Sequence, residues 1–252
     1  MILDVRNLTM EFDGLKALQN IDIQIPRGTI HAIIGPNGSG KTTLFNCISG
    51  IYHPTVGKIL FHGKNIERLK PFRVAEMGIA RTFQNIRLFR TMTVLENILV
   101  GQHYKTKEGF IANALKLKKV AREEERVKEK ALQTLKLVKL EAKATRHATE
   151  LPYGDRRLLE LARALASDPE MLLVDEPTSG MNETETLQAM EVIGKIRESG
   201  ITVLLVEHHM KVVMGISDRI SVLDHGEKIA EGTPQEIQTH ERVIEAYLGR
   251  KK

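Results

Sequence analysis

The eight residues GPNGSGKT, Gly35 to Thr42, set small residues, a lysine and a hydroxyl in the spacing G-x-x-x-x-G-K-[ST]. A backbone made of Gly35, Pro36, Asn37, Gly38, Ser39 and Gly40 can wrap around phosphates. Its N–H groups and the dipole of a following helix then meet negative charge. In that arrangement Lys41 reaches the β and γ phosphates, Thr42 can ligate Mg²⁺, and Thr43 joins the residues that bind the nucleotide. A second stretch, MLLVDEP, carries four apolar residues and then two acids, Asp175 and Glu176. Asp175 is placed to hold Mg²⁺ directly or through water, and Glu176 to orient or deprotonate an attacking water. An acid pair after a strand is by itself often a turn or a helix cap. Combined with the phosphate loop it points to a site for a nucleoside triphosphate and a metal. A third stretch, LPYGDRR at residues 151–157, opens a helix whose free N–H groups can receive an anion.

These residues need a scaffold, and the pattern around them supplies one. The apolar run Ile30 to Ile34 reads as a strand leading into the loop, and Leu44, Phe45 and Ile48 follow at helical spacing until Gly50. MLLVDEP and ITVLLVEHH are short, uninterrupted apolar runs of the kind covered on both faces in a parallel sheet. A helix begun after Asn182 ends at ESG, before the second of these runs. Ile21, Ile23 and Ile25 alternate with polar residues, predicting a half-buried strand in an antiparallel region. Residues from about Met92 to Ala166 read as mostly helical, with Ala131, Leu135 and Val138 on one face and Lys128, Glu129 and Lys136 toward water. Leu158, Leu161, Ala162 and Leu165 repeat at helical spacing behind the third stretch. The tail predicts a hairpin at LDHGEKIAEGTP and one more short helix ending near Leu248. The fold class expected is α/β.

Composition bounds the function without choosing it. With 252 residues and 42% hydrophobic content the chain can bury a large core, and a net charge of +5 suits nucleic acid, an anionic surface or a phosphate ligand alike. The single Cys47 excludes an internal disulfide. The start MILDVRNLTM lacks the pattern of a secretion signal, and no stretch approaches the ~20 apolar residues of a membrane span, so a cytoplasmic location is expected.

Taken together, these motifs resemble the nucleotide-binding subunit of ATP-binding-cassette transporters, and the resemblance runs over essentially the whole chain. GPNGSGKT looks like Walker A, TFQ at Thr82 to Gln84 like the Q-loop, and LPYGD like the family signature. MLLVDEP is similar to Walker B, SGMN to the D-loop and LLVEHH to the switch-histidine segment. The resemblance implies a P-loop NTPase (RecA-like) core with an N-terminal antiparallel β subdomain and an inserted α-helical subdomain. The core would take residues 1–91 and 167–252, and the helical signature subdomain residues 92–166, within a single domain. It implies ATP and Mg²⁺ as ligands, with Gln84 touching the metal or water and His208, ahead of its rival His209, holding the water at the γ-phosphate. Phe12 matches the aromatic that stacks on adenine. Two subunits would pack head to tail, so that Tyr153 and Gly154 of one face the triphosphate on the other's Walker A loop.

The signature departs from the common LSGGQ. Pro152 replaces the serine, Tyr153 the first glycine and Asp155 the glutamine, while the D-loop has Asn182 in place of aspartate. GIARTFQNIRLFRTMTVLENILVG, the signature tyrosine and HHMKVVMGISDRI resemble the subgroup serving branched-chain amino-acid importers, as does a helical insertion around residues 101–129. An importer of urea or short amides is the neighbouring alternative, and a cassette ATPase acting on nucleic acid or ribosomes a more distant one. The partners this implies are a second cassette subunit, like or unlike, integral membrane permeases and, indirectly, a periplasmic or extracellular solute-binding protein. Nucleic acid is not expected, and the chain would sit on the cytoplasmic face of the membrane.

Overall fold

Alternating apolar residues that need cover on one side, and continuous apolar runs that need it on both, build two different sheets here. The computed structural model describes residues 1–83, 86–102 and 117–248, of which 117–124 and 248 by backbone alone. The first half of the chain forms β1 (Leu3–Phe12), β2 (Leu15–Ile25), β3 (Ile30–Ile34), α1 (Lys41–Ile48), β4 (Val56–Phe61), β5 (Lys64–Asn65), α2 (Pro71–Glu76), β6 (Ile79–Arg81) and α3 (Val94–Gln102). The second half forms α4 (Leu117–Leu137), α5 (Tyr153–Leu165), β7 (Met171–Asp175), α6 (Glu183–Glu198), β8 (Thr202–Val206), α7 (Met210–Ile216), β9 (Arg219–Asp224), β10 (Glu227–Gly232), α8 (Pro234–Gln238) and α9 (Glu241–Leu248).

The four-stranded sheet, order β2-β1-β4-β5, is antiparallel, with Leu3 opposite Ile25 and Val5 opposite Ile23. Ile21, Ile23 and Ile25 are buried and the residues between them exposed, as the alternation requires. The six-stranded sheet runs β10-β9-β3-β8-β7-β6 and is parallel except for the edge strand β10. Every residue of β3, β7 and β8 is buried. Successive side chains go to opposite faces. Leu172 and Val174 join a core with Val192, Ile196, Leu158 and Ile98, whereas Met171 and Leu173 join Phe45, Leu44 and the inner face of the antiparallel sheet.

The helical stretch follows its pattern where it is described. Ala131, Leu135 and Val138 are fully buried, and Lys128, Glu129 and Lys136 are exposed. Residues 103–116 of the expected insertion lie outside the described residues. The tail differs from expectation. After the β9–β10 hairpin, turned by His225 (φ 46) and Gly226 (φ 81), two short helices occur where one was predicted. Thr233 and Glu236 form a capping box that starts α8. Thr239 then returns its hydroxyl to the carbonyls of Gln235 and Glu236, ending that helix before α9 begins. Among the described residues no helix is long and apolar enough to cross a membrane.

A buried histidine makes stability pH-dependent. His31 on β3 is fully buried, with Nε2 2.9 Å from Ser221 Oγ on β9. Burial drives its pKa down to about 4, against the pull of Glu231 and with Arg219 and Lys228 adding to the fall. The folded state therefore prefers the neutral ring: its contribution is complete above the unfolded pKa near 6.5 and is lost as pH falls toward 4. The expected loss between pH 7 and pH 5 is about 2 kcal/mol. Urea denaturation of wild type and His31→Gln at the two pH values measures it, the variant having the shallower slope.

Candidate active site

The loop between β3 and α1 is closed by its own small residues. Gly35, Gly38 and Gly40 take φ values of 153, 79 and 103, and Ser39 N–H donates to Pro36 O at 3.2 Å. α1 starts at Lys41 with Gly40 as its cap residue and no side-chain cap, so the N–H groups of its first turn point into the loop. The Lys41 ammonium donates to the carbonyls of Gly35 at 2.7 Å and Pro36 at 2.8 Å. Burial lowers its pKa, while Glu176 and Asp175 work to raise it, which places both acids electrostatically in range. Asn37, Gly38 and Thr42 are exposed; Thr43 is half-buried. A Cβ on Gly35 would lie 2.0 Å from Leu223 O and 2.6 Å from Ser39 Oγ. Gly35→Ala is accordingly expected to destabilise by about 1–3 kcal/mol through overpacking and to weaken nucleotide binding, both measurable by denaturation and nucleotide titration.

Asp175 ends β7, buried at 6% exposure. Burial raises its pKa, opposed by Arg81, whose Nη2 donates to Asp175 Oδ2 at 3.1 Å. Arg81 is itself fixed: Nη1 donates to Asn46 Oδ1 at 2.7 Å and Ser49 Oγ at 2.9 Å, and its guanidinium lies over the rings of Phe45 and Phe83. The Asp175 N–H donates to Thr82 Oγ1 at 3.2 Å. A hydroxyl, one carboxylate and substrate phosphates are the donor set Mg²⁺ usually takes, so Thr42 and Asp175 fit it by chemistry. Among the described residues no cluster of three or more His, Cys, Asp or Glu forms a cage for a metal.

Glu176 adopts φ 48, the left-handed region, which for a non-glycine residue costs of order 1–3 kcal/mol. Its N–H donates to Val206 O at 2.9 Å across the β7–β8 pair. The turn carries the carboxylate to His208, whose Nε2 lies 2.6 Å from Glu176 Oε1. His209 goes elsewhere, with Nδ1 3.1 Å from Thr178 Oγ1. The two neighbouring histidines, indistinguishable in type, are thus separated by their partners.

At the mouth of α5, Pro152 is the cap residue and offers no side-chain bond. Gly154 is buried, and what approaches it is Glu185 of the same chain: a Cβ there would lie 2.7 Å from Glu185 Oε1. Glu185 also accepts the Asn182 N–H at 3.0 Å while donating its own N–H to Asn182 Oδ1, a capping box for α6. Asn182 in the D-loop position therefore serves as a helix cap. Asp155 pairs with Lys143. Tyr153 packs on Gly180 and accepts from Arg157 Nε at 3.2 Å. Among the described residues no hydrogen bond or ring contact joins Tyr153 or Gly154 to residues 35–43. Phe12 ends β1 at 38% exposure, edge-on to Tyr52 with centroids 5.2 Å apart, so the core does not absorb it. Gln84 lies outside the described residues.

Three buried groups escape reading from sequence. Arg81 lies in a three-residue strand too short to show a period. Glu160, 2% exposed on α5, accepts the Phe83 N–H at 3.4 Å, and Glu207, 2% exposed, binds Thr178. Glu160 falls opposite the stripe of Leu158, Leu161, Ala162 and Leu165, and Glu207 lies just past the end of β8, so neither breaks a local pattern.

A parallel sheet whose strand feeds a glycine-rich loop and helix, with an acid at the end of a neighbouring strand, defines a P-loop nucleotide-binding protein of the α/β class. Comparison with known proteins narrows this. The ABC transporter family profile matches residues 18–179, and that described as branched-chain amino acid ATP-binding cassette transporter matches residues 227–252. The chain is 45% identical over 98% of its length to LivG of Escherichia coli, a high-affinity branched-chain amino acid transport ATP-binding protein, covering 98% of it. The ADP conformation of MJ1267, an ATP-binding cassette of an ABC transporter, is similar with a TM-score of 0.86 and 35% identity over 99% of each chain. A dimeric structure of the cassette MJ0796 bound to ADP and Pi is similar with a TM-score of 0.77 and 28% identity over 92% of this chain and 98% of that one. The chain belongs to the ABC transporter family, as one of its ATP-binding subunits.

Proposed function

We propose that this chain hydrolyses ATP to drive an importer of branched-chain amino acids. The observation that carries the chemistry is the 2.6 Å contact of Glu176 and His208 at the strand ends beside the Lys41 loop. Residues 35–43 receive the triphosphate, Lys41 exchanging its loop carbonyls for β and γ oxygens. Glu176 takes the proton of the attacking water, and His208, donating through Nε2, holds that carboxylate and the water in line. Thr42, Asp175 and Gln84 would hold Mg²⁺, which when bound would supply charge neutralisation for the triphosphate. Phe12 stacks on adenine.

The α5 N-terminus, capped by Pro152 with no side-chain bond, leaves N–H groups that can meet an anion, which supports its use in trans once Glu185 gives way beside Gly154. In a head-to-tail dimer Tyr153 and Gly154 would complete the partner's site, and a similar cassette, MJ0796, forms a dimer bound to ADP and Pi. Residues 1–91 and 167–252 then act as the nucleotide core and 92–166 as the signature subdomain. ATP favours the closed dimer and ADP the open one, and that difference moves the permeases. The branched-chain cargo rests on LivG and on the matching tail profile, and with it come membrane permeases, a solute-binding protein and a place on the cytoplasmic face.

The test is reconstitution in vesicles with permease subunits and a solute-binding protein that copurify with this chain. Leucine, isoleucine or valine is expected to stimulate ATP turnover and to accumulate. Stimulation by urea or short amides alone would overturn the cargo, and turnover indifferent to every solute would overturn the importer.

A further inference from the structure

We infer that the buried pair Glu207 and Thr178 is the positioning device for Glu176 and His208, and this rests on the hydrolytic reading above. Glu176 holds a left-handed backbone at φ 48, and such a residue persists only where its surroundings over-determine it. Two residues further on, Thr178 is fully buried, and its hydroxyl donates to Glu207 Oε1 at 2.9 Å. The Thr178 N–H reaches the other oxygen of the same carboxylate at 3.5 Å. Glu207 follows β8 directly, is 2% exposed, and also accepts the His209 N–H at 3.3 Å. His209 Nδ1, 3.1 Å from Thr178 Oγ1, closes the set.

The consequence is geometric. His208 stands between Glu207 and His209, both tied to Thr178. Glu176 stands between β7, paired in register with β8, and Thr178. One carboxylate thus fixes the chain on the far side of Glu176 and on both sides of His208, so the two reacting side chains keep their 2.6 Å separation as a rigid unit. Glu207 and Thr178 touch neither water nor phosphate in this scheme. They act through the groups they hold.

Thr178→Val keeps the shape and removes the hydroxyl, and Thr178→Ser restores it. Thr178→Val is expected to lower kcat for ATP about 10–100-fold, with KM for ATP within about twofold of wild type, as misplacement of the reacting groups requires. Thr178→Ser is expected to return most of the rate. In the Glu176→Gln background, ATP-driven dimer formation by the Thr178→Val chain is expected to match that of the parent, showing an intact fold and nucleotide site. Wild-type kcat in Thr178→Val, a loss expressed in KM or in dimer formation, or a Thr178→Ser chain as impaired as Thr178→Val would each overturn the proposal. The Glu176→Gln chain separates the two levels: rapid turnover by it sinks the hydrolytic reading itself, whereas a silent Glu176→Gln beside an unimpaired Thr178→Val sinks the positioning role alone.

Discussion

Glu176→Gln is expected to cut ATP turnover about 10³-fold, within the range a positioned general base supplies, equivalent to about 4 kcal/mol in the barrier. Glutamine preserves the size of the side chain and an oxygen for the His208 Nε2 contact seen at 2.6 Å, so the geometry of the pair survives. What it removes is a lone pair basic enough to take a proton from water. Nucleotide binding, which rests on residues 35–43, should persist. The variant is therefore expected to accumulate as an ATP-bound dimer, detected by size exclusion with and without ATP beside a phosphate-release assay. A variant that turns over at the wild-type rate would move the base elsewhere.

Removing the cation beside Asp175 is expected to have the largest effect on stability. The side chains of Arg81 and Asp175 are 9% and 7% exposed, so neither charge has water to fall back on. Arg81→Met retains an apolar stem between Phe45 and Phe83 but leaves the carboxylate without its counter-charge. Breaking a buried pair from one side costs about 3–5 kcal/mol. Asp175→Asn in the same background should recover a large part of this, because it removes the orphaned charge, and the double-mutant cycle isolates the coupling. The sign with pH follows from burial, which already pushes the Asp175 carboxyl upward. With its folded pKa raised, the deficit is full where Asp175 is ionised and shrinks as pH falls through that pKa. Urea denaturation across pH provides both numbers, and a loss below about 1 kcal/mol at neutral pH would show that the pair is not desolvated.

Much of this architecture is written locally. The runs at Ile30, Met171 and Thr202 announce strands covered on both faces because apolar residues occupy four of the five positions in each, and the loop at Gly35 is announced by glycines that the backbone angles require. The alternation at Ile21, Ile23 and Ile25 likewise fixes which face of β2 turns inward. What stays hidden is set by sheet order. Arg81 meets Asp175 across 94 positions only because β6 lies beside β7, a pairing with no local signature. The roles of His208 and His209 separate only when Thr178 and Glu176, themselves on a turn after β7, stand opposite the end of β8. Gly154 reads in sequence as an opening for an approaching group, and the group that meets it here comes from α6 of the same molecule. The tail break at Thr239 depends on a hydroxyl choosing carbonyls one turn back, which a count of apolar positions does not reveal.

The apolar interior that joins Ile98 on α3 and Leu158 on α5 to Val174 beside Asp175 has a mechanical corollary. Close-packed side chains transmit displacement instead of absorbing it. A displacement applied at the α3 end would therefore reach the strand that carries Asp175, and a movement of that strand would be felt at α3 in turn.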